Sequence, residues 1–264
     1  MRVARFASDD DPRFGLVGEE DGTAMIAVLK GDPLYAGFEL TGQKVPLEDV
    51  RLVTPVIPRS KIIGIGKNYA AHAGEMGTDV PESPLVFLKP NTSVVGPGEP
   101  IVYPSQTSEL HYEGELAVVI GRICKDVEAA DADKVIFGYT IANDVTARDL
   151  QRSDGQWARA KGFDTFCPLG PWIETNLDPA SLRVSTSLAS RGQDARVVQD
   201  GTTADMVFSV ADIIEHVSSF MTLLPGDVIL TGTPEGVGPL QVGDTVSVTV
   251  DGIGTLSNQV VGDE

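Results

Sequence analysis

The chain has 264 residues, of which 42% are hydrophobic, so it is long and apolar enough to bury a sizeable core. Its 20 Lys and Arg residues stand against 38 Asp and Glu residues, giving a formal net charge of −18. This charge argues against binding to nucleic acid phosphates or anionic membranes, because both require a basic surface. A small anionic ligand stays compatible, provided that a local group of cations reverses the field.

The N-terminal residues lack the apolar core of a signal peptide, and no stretch approaches the 18 or more apolar residues that cross a bilayer. Cys124 and Cys167 lie far apart in the sequence and form no metal-type pair. These features predict a cytoplasmic protein with idle thiols.

Residues 1–57 contain short apolar segments separated by Asp and Gly turns, which predict a small β-rich N-terminal domain. An extended connector with Pro55 and Pro58 follows, so we place a domain boundary there and assign residues 58–264 to a second domain. Many closely spaced strands and few helices then predict a mainly β (α+β) sandwich or barrel.

Two helices are predicted within the second domain. One begins near Thr146, where Thr146 and Asp149 resemble a capping box. The other covers residues 207–224, whose apolar residues recur at helical spacing, and a turn at Pro225 closes it.

Glu113 and Glu115 precede a continuous apolar run, residues 116–120, that is typical of a central strand. Alternate strand residues share a face, so the two carboxylates lie about 7 Å apart at the backbone and repel each other. A third carboxylate, Asp144, stands at the end of another predicted strand. Three such oxygen donors favour Mg²⁺, with Mn²⁺ or Ca²⁺ also compatible, and a shared cation would compensate the negative charges. A solvated strand edge is the alternative interpretation of the two glutamates.

His72 and Glu75 are three residues apart in a short predicted helix, so the carboxylate can orient the imidazole as a general base. An exposed ion pair is the alternative. Gly74 and Gly77 predict a flexible segment around this pair. Lys161 is a candidate partner for an anionic oxygen or for the carboxylates of the site, although most lysines are simply exposed.

Four segments in order, HYEGELAVVIG, YTIANDVTARDLQ, RAKGFDTFCPLGPWI and LLPGDVILTGTPEGVG, resemble the fumarylacetoacetate hydrolase family over roughly residues 60–260. The resemblance implies a mixed β-sandwich roll, a homodimer, and Mg²⁺ or Mn²⁺ bound by Glu113, Glu115 and Asp144. It also implies a catalytic His72–Glu75 pair on a lid. Further residues carried over from it are Lys161 as a catalytic residue and, for substrate binding, Lys89, Arg148, Gln151, Gly232 and Thr233.

The residues and the resemblance together predict a Mg²⁺-dependent hydrolase that cleaves a C–C bond in acylpyruvate-like 2,4-dioxo acids, with oxaloacetate decarboxylation as a further activity. The expected partner is therefore a small anionic 2-oxo acid. An isomerase or decarboxylase of dienoates from aromatic catabolism, such as 2-hydroxyhepta-2,4-diene-1,7-dioate, is the alternative enzyme. A metal-stabilised β module without activity is the alternative outside enzymes.

Overall fold

The computed structural model describes residues 1–8, 11–75, 77 and 79–263. The strands are β1 (Arg2–Ala7), β2 (Arg13–Glu20), β3 (Thr23–Leu29), β4 (Leu40–Pro46), β5 (Arg51–Val53), β6 (Ile62–Gly66), β7 (Leu85–Lys89), β8 (Val94–Val95), β9 (Ile101–Tyr103), β10 (Leu110–Tyr112), β11 (Gly114–Ile120), β12 (Ile136–Asn143), β13 (Thr146–Ala147), β14 (Cys167–Glu174), β15 (Arg183–Ala189), β16 (Arg196–Thr202), β17 (Val228–Leu230), β18 (Gly238–Pro239), β19 (Thr245–Val250) and β20 (Gly254–Gly262).

The helices are α1 (Pro33–Ala36), α2 (Ala70–Glu75), α3 (Arg148–Asp154), α4 (Ala158–Gly162) and α5 (Val210–Phe220). Short 3-10 helices cover Leu47–Asp49, Asn91–Ser93, Ala129–Lys134, Pro179–Ser181 and Thr203–Asp205. In the described part of the chain, no helix is both long and apolar enough to span a bilayer.

The predicted mainly β fold is confirmed. The largest sheet follows the order β4-β3-β2-β1-β14-β12-β11-β17-β6-β7, with β5 paired to β1 and β8 paired to β14. A second sheet has the order β16-β15-β19-β20-β9, and a small one has the order β13-β10-β18. Most pairs are antiparallel, whereas β6 and β17 run parallel, so the sheets are mixed.

Strand β11 is buried on both faces, which explains its continuous apolar sequence. Leu116 and Val118 face one core, which they share with the second sheet and α5. Ala117 and Val119 face the other core, on the opposite side of the large sheet. The strand that follows the two glutamates is therefore held from both sides.

The N-terminal strands extend the same large sheet. Strand β1 pairs with β14 in antiparallel register, with Arg2 opposite Glu174. The N-terminal ammonium group donates to Glu174 Oε1 at 2.5 Å. The division into domains 1–57 and 58–264 stays a prediction.

Two helix predictions need correction. The predicted capping box at Thr146 is wrong: α3 begins at Arg148, Thr146 lies in β13, and its hydroxyl donates to the Asp144 carbonyl oxygen at 2.8 Å. The Asp149 carboxylate instead accepts from Ser108 N at 2.9 Å. Helix α5 is shorter than residues 207–224, because a capping box formed by Ser209 and Asp212 starts it at Val210.

Gly114 separates the two glutamates at a point where chains approach closely. A Cβ atom there would lie 2.3 Å from Thr186 Oγ1 and 2.9 Å from Val248 Cγ1. This hydroxyl is fixed by a 2.7 Å hydrogen bond with Gln199 Oε1, so it has little room to retreat. The close approach explains the glycine between two acids.

We expect Gly114→Ala to lower the free energy of unfolding by about 1–3 kcal/mol, because the added methyl group overpacks this contact. Urea denaturation of the protein in a chelating buffer measures the effect. Gly18→Ala is the matched control within a strand, since a Cβ at Gly18 meets nothing within 4 Å. Equal stability of the two variants would contradict the assigned contact.

Candidate functional site

Three carboxylates meet where β11 and β12 pair. Gly114 lies opposite Asn143 in the antiparallel register, and Asp144 N donates to the Glu113 carbonyl oxygen at 2.8 Å. Asp144 is thereby placed beside Glu113 and Glu115. One oxygen from each of the three side chains lies within 4.8 Å of the others, and all three residues are buried.

Three cations surround these carboxylates. Lys161 Nζ donates to Glu113 Oε2 at 2.7 Å and to Asp144 Oδ2 at 2.5 Å. Lys89 Nζ donates to the other Asp144 oxygen, and Arg148 Nη2 donates to the other Glu113 oxygen. Burial of Lys161 and Lys89 is nearly complete, each with 2% exposure, so these are buried ion pairs rather than surface lysines.

Glu115 differs from its two neighbours. Its Oε2 atom accepts a hydrogen bond from Gly232 N at 2.7 Å, and within the described residues no lysine or arginine forms an ion pair with it. Burial raises the pKa of the Glu115 carboxyl well above its ordinary value, and Asp144 and Glu113 raise it further. Glu115 thus holds the least compensated charge of the three.

The pKa values of Glu113 and Lys161, in contrast, are shifted so that each group favours its charged form. Burial alone would raise the pKa of Glu113, but Lys161 and Arg148 hold it below its usual range. Burial likewise opposes the charged form of Lys161, but Asp144 and Glu113 raise its pKa above the ordinary value. Both groups are therefore charged at neutral pH.

The cluster fits a divalent cation of the hard type. Carboxylate oxygens are the donors that Mg²⁺, Mn²⁺ and Ca²⁺ prefer, and the spacing of at most 4.8 Å allows all three residues to share one ion. The raised pKa of Glu115 indicates a carboxylate that a cation would stabilise.

His72 and Glu75 lie on one face of α2, as their spacing predicts. His72 Nδ1 is 3.2 Å from Glu75 Oε2, and His72 is 6% exposed. The Glu75 carboxylate also accepts from Gly236 N at 3.2 Å, which ties the helix to the loop after β17. Of the predicted lid, Met76 and Thr78 lie outside the described residues.

A cavity of about 280 Å³ joins these groups. Its lining includes the three carboxylates together with His72, Arg148, Gln151, Lys161 and Thr233. Gln151 accepts from Arg148 Nη1 at 2.9 Å, and Thr233 Oγ1 donates to the Gly114 carbonyl oxygen at 2.9 Å. Of the other predicted binding residues, Gly232 donates to Glu115 and Lys89 donates to Asp144. The substrate-binding roles of these four residues and of Arg148 stay predictions.

Sequence reasoning missed the apolar wall of this cavity, which is formed by Ile65, Phe87 and Trp157. The Phe87 and Trp157 rings meet edge to face at 5.5 Å between centroids. A Cβ at Gly66 would lie 2.6 Å from the Trp157 ring, so glycine is needed for this packing. Trp157 stands four residues before Lys161, a spacing that places both on one helical face. This spacing was the signal in the sequence that could have placed Trp157 at the site.

Sequence reasoning also missed Lys67, which lines the cavity. The two other histidines of the chain, His111 and His216, have different surroundings. His111 Nε2 lies 3.5 Å from Glu109 Oε1, and burial together with Arg148 lowers the pKa of His111 to about 4. His216 packs against Phe220 on α5, with 5.6 Å between ring centroids, and does not line the cavity.

The sequence model described as fumarylacetoacetate (FAA) hydrolase C-terminal matches residues 61–261. A second model, Rv2993c-like N-terminal, matches residues 1–55. Protein Rv2993c of Mycobacterium tuberculosis is 52% identical over 99% of this chain and 98% of its own length. Oxaloacetate tautomerase YisK of Bacillus subtilis is 44% identical, over 84% of this chain and 77% of its own length.

Solved structures with the same fold cover the entire chain. The 5-carboxymethyl-2-hydroxymuconate delta-isomerase from Mycobacterium smegmatis has a TM-score of 0.90 and 52% identity, with full coverage of both chains. The maleylpyruvate hydrolase from Sphingobium sp. SYK-6, in complex with manganese(II) ion and pyruvate, has a TM-score of 0.80 and 32% identity, again with full coverage of both.

We expect Glu113→Gln and Glu115→Gln to change the stability of the metal-free protein in opposite directions. Glu113→Gln leaves Lys161 and Arg148 without their full counter-charge and should cost about 3 kcal/mol. Glu115→Gln removes a poorly compensated charge and should stabilise the fold. Chemical denaturation in a chelating buffer measures both effects.

The pH dependence of the free energy of unfolding tests the expected stabilisation by Glu115→Gln. Because the pKa of Glu115 is raised in the folded chain, the wild type binds more protons than its unfolded state above pH 4.5, the ordinary carboxyl value. The wild type therefore loses stability relative to Glu115→Gln as the pH rises from 4.5 towards the folded-state pKa. A destabilised Glu115→Gln variant at every pH would contradict the assignment.

Proposed function

This chain belongs to the fumarylacetoacetate hydrolase family, and from that premise we propose that it is a metal-dependent enzyme of 2-oxo dicarboxylates. The reaction that we propose is a proton shift between carbon 3 and the 2-oxo oxygen, which is a keto–enol tautomerisation. Oxaloacetate is the first substrate to test. The observation that supports this most is that His72, which Glu75 orients, lines the same cavity as the three buried carboxylates.

Glu113, Glu115 and Asp144 would hold the ion, with Mg²⁺ as the first choice and Mn²⁺ as an alternative. When bound, a divalent cation supplies a Lewis acid that polarises the 2-oxo group and lowers the cost of removing a proton from the adjacent carbon. Lys161 holds the Glu113 and Asp144 carboxylates in place, and Arg148 fixes both Glu113 and Gln151.

The charges of the site suit a dianionic substrate. Glu113, Glu115 and Asp144 contribute three negative charges, and Lys89, Lys161 and Arg148 contribute three positive charges. With all three carboxylates ionised the cluster is neutral, and a divalent ion would give it a net charge of about +2. A 2-oxo dicarboxylate carries the complementary charge.

His72 is the proposed base. Its Nδ1 faces Glu75, so Nε2 is the nitrogen available to a substrate in the cavity. The Glu75 carboxylate stabilises the imidazolium that forms when His72 takes a proton, and the Gly236 N–H holds that carboxylate in position. His72 returns the proton to complete the shift.

The relatives favour a proton shift over hydrolysis. The 44% identical relative from Bacillus subtilis is named an oxaloacetate tautomerase, and the 52% identical structure from Mycobacterium smegmatis is titled a delta-isomerase. Both names describe the movement of a proton within one molecule, which this pair of residues can perform without a water molecule.

Hydrolysis of an acylpyruvate is the second candidate. The same His72–Glu75 pair can take a proton from water, and a 32% identical structure is titled a maleylpyruvate hydrolase with manganese and pyruvate bound. Oxaloacetate decarboxylation needs no attacking water and is a third outcome at the same site.

The homodimer implied by the resemblance is also a proposal, which sedimentation in solution checks.

We expect the Mg²⁺-loaded protein to accelerate the loss of the enol absorbance of oxaloacetate, and His72→Gln to lower kcat by about 100-fold or more. His216→Gln is the matched control, because that histidine lies on α5 away from the cavity. Mn²⁺ affinity of His72→Gln, measured by calorimetry, should equal that of the wild type. If His72→Gln bound Mn²⁺ more weakly but kept the wild-type kcat when saturated with metal, the assigned role of His72 would be contradicted.

A panel of substrates with Mg²⁺ separates the candidates. Acetylpyruvate, fumarylpyruvate, oxaloacetate and 2-hydroxyhepta-2,4-diene-1,7-dioate are compared for C–C cleavage, decarboxylation and enol loss. Faster cleavage of an acylpyruvate than tautomerisation of oxaloacetate would favour hydrolysis. Metal binding without turnover of any compound would favour a metal-stabilised module.

A further inference from the structure

We infer that Lys67 selects dicarboxylate substrates by binding the carboxylate farther from the 2-oxo group. This inference rests on the proposed function and deepens it. Lys67 would thereby determine specificity, whereas the three buried carboxylates and His72 carry the reaction common to all 2-oxo acids.

The cations that line the cavity divide into two groups. Arg148 and Lys161 are paired with the buried carboxylates, and Arg152 Nη2 is paired with Glu109. Lys67 is the exception: within the described residues it has no ion pair and no side-chain hydrogen bond. A carboxylate that enters this cavity therefore meets one cation whose charge is not already neutralised.

The backbone holds Lys67 in a conformation that is uncommon for a residue with a side chain. Its φ is 58°, in the left-handed region, where an L-residue is strained. The next residue fixes this turn, because Asn68 Nδ2 donates to the Thr231 carbonyl oxygen at 2.8 Å and Asn68 Oδ1 accepts from Phe208 N at 2.8 Å. The lysine is thus held at the cavity by a rigid support on its C-terminal side.

The remaining lining agrees with a substrate that is charged at both ends. Ile65, Phe87 and Trp157 offer an apolar wall, in which the Trp157 indole N–H is the only side-chain donor. One end of a 2-oxo dicarboxylate is accounted for by the cluster of Glu113, Glu115 and Asp144 with its metal ion. Lys67 is the group left to bind the other end.

The test compares oxaloacetate with 2-oxobutanoate, which has the same chain length but a methyl group in place of the second carboxylate. Exchange of the carbon 3 protons in D₂O, followed by NMR with the Mg²⁺-loaded protein, reports proton removal from both compounds. We expect Lys67→Met to lower the ratio of kcat/KM for oxaloacetate to that for 2-oxobutanoate by roughly ten-fold or more, chiefly through KM. Lys67→Arg should keep most of the preference, because it restores the charge.

Arg152→Met is the matched control, because it removes a lining cation that Glu109 already neutralises and should leave the ratio as in the wild type. An unchanged ratio in Lys67→Met, or an equal fall in Arg152→Met, would overturn the inference. If the wild type exchanges neither compound, the proposed function fails instead. Calorimetry of the Mn²⁺-loaded protein with the same two compounds then decides the inference, since Lys67→Met should weaken the binding of oxaloacetate alone.

Discussion

The structure of the site depends on a balance of buried charges. Three carboxylates lie within 4.8 Å of one another in a region almost free of solvent, where an uncompensated charge is very costly. Lys89, Lys161 and Arg148 offset that cost through direct ion pairs to Asp144 and Glu113. The elements that supply these groups, β7, β11, β12, α3 and α4, must therefore all be in place before the cluster is stable.

The balance also makes the proposed anionic substrate compatible with a strongly acidic chain. The chain has a formal charge of −18, but at physiological salt, charges beyond about 8 Å are largely screened. The field inside the cavity is then set by the groups that line it. With its three carboxylates ionised, the cluster would become locally positive on binding a divalent cation, and Lys67 adds a further positive charge at the wall. Under the proposed function, substrate charge and metal loading would be linked, because a bound divalent cation favours a dianion.

The sequence allowed much of this site to be predicted. The Glu113 and Glu115 pair stood out because two acids before an apolar run conflict with burial, and the spacing of His72 and Glu75 indicated a shared helical face. The charge balance was predicted only in part: Lys161 was expected to pair with an anionic oxygen or with the carboxylates, and it pairs with Glu113 and Asp144. We expected a metal ion to compensate the glutamates, whereas the ion pairs with Lys161 and Arg148 already do so for Glu113. These pairs join residues 35 and 48 positions apart, so no local pattern reveals them.

Other differences also come from tertiary contacts that override local signals. Thr146 has the sequence context of a helix cap, but pairing of β13 with β10 places it in a strand. Strand β1 of the predicted N-terminal domain pairs with β14 of the large sheet, and no local pattern reveals this pairing either. Lys67 carries no local signal at all, because its role depends on which other cations are neutralised. Local sequence patterns reveal acidic residues beside apolar segments more readily than they reveal a cation that lacks a partner in the fold.

The proposed function depends on the binding of one divalent cation by Glu113, Glu115 and Asp144 together. A crystal structure of the Mn²⁺-soaked protein, with diffraction data collected near the manganese absorption edge, tests it most directly. The predicted result is one anomalous difference peak per chain, bounded by oxygens of all three carboxylates, with none in Glu115→Ala crystals. A wild-type map with no peak between these carboxylates, or with the strongest peak elsewhere on the chain, would contradict the claim.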